Sequence, residues 1–267
     1  MIWARNLALS FLVVTAVAGL FAGSLTSGYA HQFRDLPSAS PSRQHPLGTD
    51  DLGRDRWARI LYGTRVSLFL APAAALLSSL FAGLIGGIAG FAGGWTARVV
   101  IAIVDLFLSL PWLLLLITVR ALMPLNVSPV TSVLITFVLL GCLGWAAAAR
   151  VVYADTRSLS QSDFALLARA SGAGGFRLLW RHVLPNLRPI LFAQFWISVP
   201  VFILTEANLG ILGLGVAEPL PSWGSLLREL ESYSSLTAEP WRLLPLVLLI
   251  AVVSCFQIVL HKEELPV

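Results

Sequence analysis

A helix that crosses lipid hydrocarbon needs about 20 consecutive, mostly apolar residues. This 267-residue chain offers six such stretches: Leu7–Ser27, Val66–Gly90, Val99–Leu122, Val130–Ala149, Pro189–Gly213 and Leu243–His261. No water reaches backbone N–H and C=O groups at membrane depth, so each stretch is expected to be helical. Charged residues make up 12% of the chain, against about 25% in soluble domains. That deficit excludes a large water-facing fold. The expected class is an all-α integral membrane protein with six transmembrane helices.

The expected organisation is an N-terminal transmembrane helix over 1–28, an external loop over 29–65, a transmembrane core over 66–261 and a cytoplasmic tail over 262–267. Core spans are placed at about 66–90, 99–122, 130–149, 189–213 and 243–261, with a long cytoplasmic loop over 150–188. The first span has a rival reading: Arg5, the following apolar run and Gly28-Tyr29-Ala30 fit a cleaved signal peptide. The run is long for that role and suits an uncleaved anchor; either way the next segment is external.

Orientation is read from arginine placement. Arg150–Arg188 holds six Arg against Asp155 and Asp163, whereas Val216–Arg242 holds Arg228 and Arg242 against Glu218, Glu229, Glu231 and Glu239. The first loop is therefore expected in the cytoplasm, together with the turn Phe91–Arg98 and both termini. Cys142 and Cys255 fall inside apolar runs and read as thiols, not as a disulfide.

The external loop carries a charged, turn-rich passage, "HPLGTDDLGRDRWARILYGTRVSL", at 45–68. Asp50, Asp51, Asp55 and Trp57 mark it as a structural elbow. A helix from Arg54 would place Trp57, Ile60 and Leu61 on one face and Arg54, Arg56 and Arg59 elsewhere, lying on the outer membrane surface with Trp57 at headgroup level. A metal site from His45, Asp50, Asp51 and Asp55 lacks the ligand order of a calcium loop, so no metal is assigned. Ser38–Ser42 reads as a short flexible link.

Asp105 and Glu206 lie within spans, where acids are costly and become functional candidates, either on a solute pathway or in helix packing. Arg120, near a span end, is expected to snorkel outward. Gly83/Gly87 and Gly86/Gly90 are spaced for close helix approach. Pro72, Pro111 and Pro200 can bend their helices. No HExxH, GxSxG or phosphate-binding loop occurs. No catalytic residue or bound cofactor is assigned, and the chain is not expected to be an enzyme.

Residues 161–186, "QSDFALLARASGAGGFRLLWRHVLPN", read as two short helices around a glycine bend. Ser162 and Asp163 can start the first. Phe164, Leu167 and Ala168 or Ser171 share a face by helical spacing. The second offers Phe176, Leu179, Trp180 and Val183 for burial and is expected to stop at Pro185.

The passage 144–186, "GWAAAARVVYADTRSLSQSDFALLARASGAGGFRLLWRHVLPN", resembles the EAA loop of binding-protein-dependent ABC importer permeases. The 45–68 passage is similar to the signature of one subfamily, the C-type permease of dipeptide, oligopeptide and nickel importers. "GIAGFAGGW", "VDLFLSLP" and "ILTEANLGILGLGVAEPLPSWGSLL" resemble family stretches in the same order. The resemblance implies the type I ABC importer permease fold, with a cytoplasmic coupling helix that docks on a partner ATPase through Phe164, Leu167, Ala168, Arg169, Gly172 and Phe176. It also implies a homologous second permease, two ATPases that use the ATP, an external binding protein, membrane lipid as surroundings, and a bacterial or archaeal cytoplasmic membrane. Leu166 stands where the family often has Glu, which points to docking by shape and apolar contact. Peptides or related small solutes are the implied cargo. The rival class is an ion-coupled secondary transporter or channel, which would need more ionisable groups at depth than Asp105 and Glu206.

Overall fold

The computed structural model describes residues 2–124, 127–172, 174–231 and 240–260. The expected 262–267 tail and the end of the last span at His261 lie outside the described residues. Those described are helical apart from loops and two isolated β-bridges, Gln32–Arg54 and Thr49–Asp55. The helices are α1 (Ile2–Leu20), α2 (Ala22–Leu25), α3 (Arg56–Ala92), α4 (Gly94–Ser109), α5 (Trp112–Leu122), α6 (Pro129–Leu143), α7 (Ala146–Ser160), α8 (Asp163–Ala170), α9 (Gly175–Leu178), α10 (Leu184–Ile211), α11 (Trp223–Arg228) and α12 (Leu244–Leu260).

Among the described residues, five helical stretches have the length and composition to cross a membrane: Trp3–Leu20, Arg56–Ala92, Pro129–Ser160, Leu179–Ile211 and Pro240–Leu260. The sixth, expected as one span over Val99–Leu122, is instead α4 and α5 meeting at 85°. Pro111 explains the break. It lacks an N–H, and its ring drives the preceding residue out of the helical region; Leu110 is extended, at φ −84 and ψ 136.

The external elbow also differs from expectation. It is not a separate surface helix: α3 runs 37 residues from Arg56 with Pro72 inside it. At 1.5 Å per residue such a helix is about 55 Å long, against about 30 Å of hydrocarbon. Its arginine-bearing start therefore has room to project beyond the lipid.

The chain divides into two compact units. The first comprises Met1–Ala71, Ala121–Phe137 and Pro200–Val267. Here α1 packs along α12. The loop between α2 and α3 is a folded cap, and Ser38–Ser42 is no flexible link. Ser38 N–H bonds the Asp50 carbonyl at 2.9 Å, Ser42 N–H bonds the His45 carbonyl at 2.8 Å, and Ala39 N–H bonds Thr49 Oγ1 at 2.9 Å. Gly53 sits at φ +73 with the Phe33 carbonyl oxygen only 2.3 Å from where a Cβ would stand, so the turn admits no side chain.

The second unit comprises Pro72–Arg120 and Val138–Val199. Its core joins Ala82 of α3, Val104 of α4 and Trp145, Ala146, Ala148, Ala149 and Val152 around α7. Of the two glycine pairs on α3, Gly86/Gly90 carries the close approach: a Cβ at Gly86 would lie 2.4 Å from the Ala149 carbonyl oxygen. Gly83 faces Leu191 and Gly87 faces open space. Arg120 is 1% exposed, so it turns into the protein and does not snorkel.

Candidate functional site

Three groups of the sequence-marked residues take defined positions: a hairpin after α7, a charged knot in the external cap, and two acids within spans.

The hairpin begins where expected, with α8 starting at Asp163, although α7 before it runs to Ser160, beyond the expected end of its span at Ala149. Ser162 precedes α8 in an extended conformation, but its hydroxyl donates back to the Leu159 carbonyl at 2.6 Å and does not cap the helix. Asp163 supplies an acid to the first turn and Arg169 a base to the last, both favourable to the helix dipole. Ala165 is fully buried with Leu178, Val183 and Leu187, and Ala168 packs at the edge of this cluster. That inward face turns Phe164, Leu166 and Leu167 outward, at 38%, 51% and 68% exposure. Arg169 is exposed beside them.

Gly172 ends α8 at φ +83, the left-handed bend that its position predicts. Phe176 lies on α9; its side chain is outside the described residues. The second helix does not stop at Pro185. A π-turn over Leu179–Val183 leads directly into α10, with Pro185 in the first turn of that helix. A widened turn in front of a proline eases the loss of one ladder hydrogen bond. Val183 is buried as expected, whereas Trp180 is 57% exposed.

The charged knot inverts the predicted surface helix. Arg54, Arg56 and Arg59 are buried, and Trp57 is only half-buried. Arg54 Nε donates to Asp50 Oδ2 at 2.6 Å, and its Nη1 donates to Glu218 Oε2 at 2.6 Å. Arg59, fully buried, donates through Nη2 to Glu218 Oε1 at 2.9 Å and lies 3.6 Å from Glu229 and 3.7 Å from Asp50. Arg56 donates to Glu229 Oε2 at 2.6 Å and to the Thr49 carbonyl at 3.0 Å. Asp55 Oδ1 accepts from Trp57 N–H at 2.9 Å at the start of α3, while His45 Nδ1 is 3.5 Å from its other oxygen. Asp51 is exposed, accepts from the Ser38 hydroxyl at 2.8 Å and faces Arg242 at 3.6 Å.

Desolvation alone would raise the Glu218 carboxyl. The hydrogen bonds and charges of Arg59 and Arg54 outweigh it and hold Glu218 below the usual carboxylate range. Burial likewise works against the Arg54 cation, yet Asp50 and Glu218 raise its pKa above the ordinary arginine value. Sequence reading missed Glu218 and Glu229 as partners. The available signal was the excess of acids in Val216–Arg242 facing an arginine-rich passage far away in sequence.

Of the acids within spans, Asp105 on α4 pairs with Arg150 on α7 at 3.0 Å, and both side chains are about half exposed. Glu206 on α10 is fully buried, and its Oε2 accepts from the Ser67 hydroxyl at 3.1 Å. Each acid has a polar partner on another helix, as an acid at depth requires.

A helical chain with five apolar crossings, a bent sixth and an ordered hairpin with an exposed apolar face defines a multi-pass membrane protein. Residues 82–262 match the family model described as "Binding-protein-dependent transport system inner membrane component". The chain is 34% identical over 237 residues to the oligopeptide transport system permease protein OppC of Bacillus subtilis (strain 168), covering 88% of this chain and 75% of that protein. It is 33% identical to the dipeptide transport system permease protein DppC of the same organism, covering 83% of this chain and 67% of the relative. The glutathione transport system permease protein GsiD of Pectobacterium atrosepticum is 35% identical, covering 74% of this chain and 64% of the relative. The chain therefore belongs to the binding-protein-dependent transport system inner membrane component family and has the type I ABC importer permease fold. It is a permease component of an ABC importer, which sets aside the ion-coupled secondary transporter.

Proposed function

We propose that this permease forms part of the transmembrane path for peptides or related small solutes. The names of its relatives support that cargo class: oligopeptide, dipeptide and glutathione transport. In this reading it pairs with a homologous second permease in a bacterial or archaeal cytoplasmic membrane. Two cytoplasmic ATPases hydrolyse ATP, and an external binding protein delivers the solute. The 150–188 segment and both termini face the cytoplasm; the cap over 29–65 faces outside. Asp105 and Glu206 serve the pathway or helix packing, and Asp50, Asp51, Asp55 and Trp57 serve the external cap.

Phe164, Leu167, Ala168, Arg169, Gly172 and Phe176 form the ATPase-coupling element. The observation that carries this assignment is the shape of α8. Its alanine face is anchored in the protein, its Phe164/Leu166/Leu167 face is left uncovered, and a left-handed glycine fixes where it ends. A lever needs such a fixed bend and a free face. With Leu166 in place of an acid, apolar contact carries the docking.

The test is Gly172→Val. A Cβ at Gly172 meets nothing within 4 Å, so the substitution acts through its φ of +83 alone. A β-branched residue in that region costs on the order of 1–2 kcal/mol or more. The variant should insert normally while ATPase co-purification and substrate-stimulated hydrolysis fall. Full stimulation by the binding protein in this variant refutes the coupling role.

A further inference from the structure

We propose that Glu206 is a positioning residue. It seats the short helix α11 against α10 and α3, and through α11 it sets where Glu218 and Glu229 meet the arginines of the external cap. This rests on the importer reading above and decides between the two roles open to Glu206.

Glu206 has no solvent exposure, so a passing solute cannot touch it in this conformation. Its polar contacts point to α11 instead. The Ser67 hydroxyl on α3 donates to Glu206 Oε2 and accepts the Trp223 N–H, each at 3.1 Å. One hydroxyl thus links α3, α10 and the first residue of α11. Trp223 is itself fully buried, and its ring N–H donates to Thr64 Oγ1 at 3.1 Å.

The packing around this bridge is backbone on backbone. A Cβ at Gly210 would fall 2.3 Å from the Gly224 carbonyl carbon, and a Cβ at Gly224 would fall 2.8 Å from the Glu206 carbonyl oxygen. At Gly210 and Gly224 the two helices touch through bare backbone, which fits closely but carries no side chain to set direction. The polar bridge from Glu206 through Ser67 adds a directional contact on the α10 side of α11, beside the Trp223 ring N–H on Thr64. Glu218 lies four residues before Ser222, and Glu229 follows α11 directly. The two acids that hold Arg54, Arg56 and Arg59 therefore flank the helix that Glu206 seats.

The experiment uses the full complex with its second permease, ATPases and binding protein, reconstituted in liposomes. Glu206→Gln and Glu206→Leu are made with Cys142→Ser, Cys255→Ser and a reporter pair, Gly63→Cys with Leu226→Cys. A Cβ at Gly63 stands 3.3 Å from Leu226 Cδ1, so a seated α11 should cross-link to α3. Glu206→Gln keeps an acceptor for Ser67 and should match the parent. Glu206→Leu should slow cross-linking and raise the half-saturating binding-protein concentration by about fivefold, the size of one lost buried hydrogen bond. Its maximal ATPase rate should stay near that of the parent.

Unchanged cross-linking and half-saturation in Glu206→Leu overturn the proposal in favour of plain packing. A lower maximal rate in Glu206→Gln with unchanged cross-linking overturns it in favour of a pathway contact. If Glu206→Leu fails to assemble, Ser67→Ala takes its place: a smaller shift in the same direction supports the proposal, and no shift overturns it. A parent complex that no binding protein stimulates refutes the importer assembly instead, and the cross-linking arm still decides the role of Glu206.

Discussion

Arg59 is the centre of the charged knot, and Arg59→Ala should be its most damaging single change. The side chain is 1% exposed and bonds both oxygens of Glu218, at 2.9 and 3.3 Å, with Glu229 at 3.6 Å and Asp50 at 3.7 Å. Removing one partner of a fully buried pair costs about 3–5 kcal/mol, and an exposed pair is worth about 0.2–1 kcal/mol. The partners lie between those limits. Asp50 is buried but keeps Arg54, whereas Glu218 and Glu229 are 52% and 25% exposed and can be partly rehydrated. An intermediate loss of about 2–3 kcal/mol follows. Glu218→Gln should cost less, since Arg59 keeps its other acids. The assay is unfolding in mixed micelles by SDS titration, followed by tryptophan fluorescence, for both single variants and the double variant. Their coupling should be about 1 kcal/mol or more. The pH dependence adds a second reading. With its folded pKa below the usual range, Glu218 contributes its full share of stability at neutral pH. That share is lost only as pH falls through the depressed value. Wild type should show this acid-side loss and Glu218→Gln should lack it. A loss below about 0.5 kcal/mol for Arg59→Ala, with additive behaviour in the double variant, refutes the account of a shared buried cation.

Two further outcomes test the rest of the fold. Cysteines at Ser42 and Ser158, both exposed, should label from opposite sides of the membrane; same-side labelling rejects the proposed topology. Gly86→Leu should lower the yield of folded protein far more than Gly87→Leu, because a Cβ at Gly86 meets the Ala149 carbonyl at 2.4 Å while Gly87 faces open space. Equal yields by size-exclusion chromatography contradict the close contact of α3 with α7.

Much of this was legible in the sequence because lipid reads composition directly. Long apolar runs located the helices with the length and composition to cross lipid, and Gly172 marked its own bend. The misreadings share one cause. Pro111, Pro185 and Pro72 are the same residue in three outcomes: a break of 85°, a passage eased by a π-turn, and a helix that simply continues. Local sequence names the weak point, but neighbouring packing decides whether the helix yields there. The arginines of 54–59 were assigned outward because surface charge is the commoner fate. Their partners lie some 160 residues away (Glu218 and Glu229), and no periodicity reveals a pairing at that distance. Glu206 was flagged by its cost at depth, but Ser67 and Trp223 carry no comparable signal.

The π-turn at Leu179–Val183 has a consequence for how such a chain can vary. A π-turn is an α-helix with one residue inserted, and each residue of an α-helix turns the axis by about 100° and advances it about 1.5 Å. The insertion therefore acts as a screw thread between α10 and the α8–α9 hairpin. Deleting one residue there would keep the helix continuous, yet swing Phe164 and Leu167 to a different compass bearing. Substitutions on the face of α8 adjust the strength of a docking contact. The length of the chain between Leu179 and Val183 sets the direction in which that contact points.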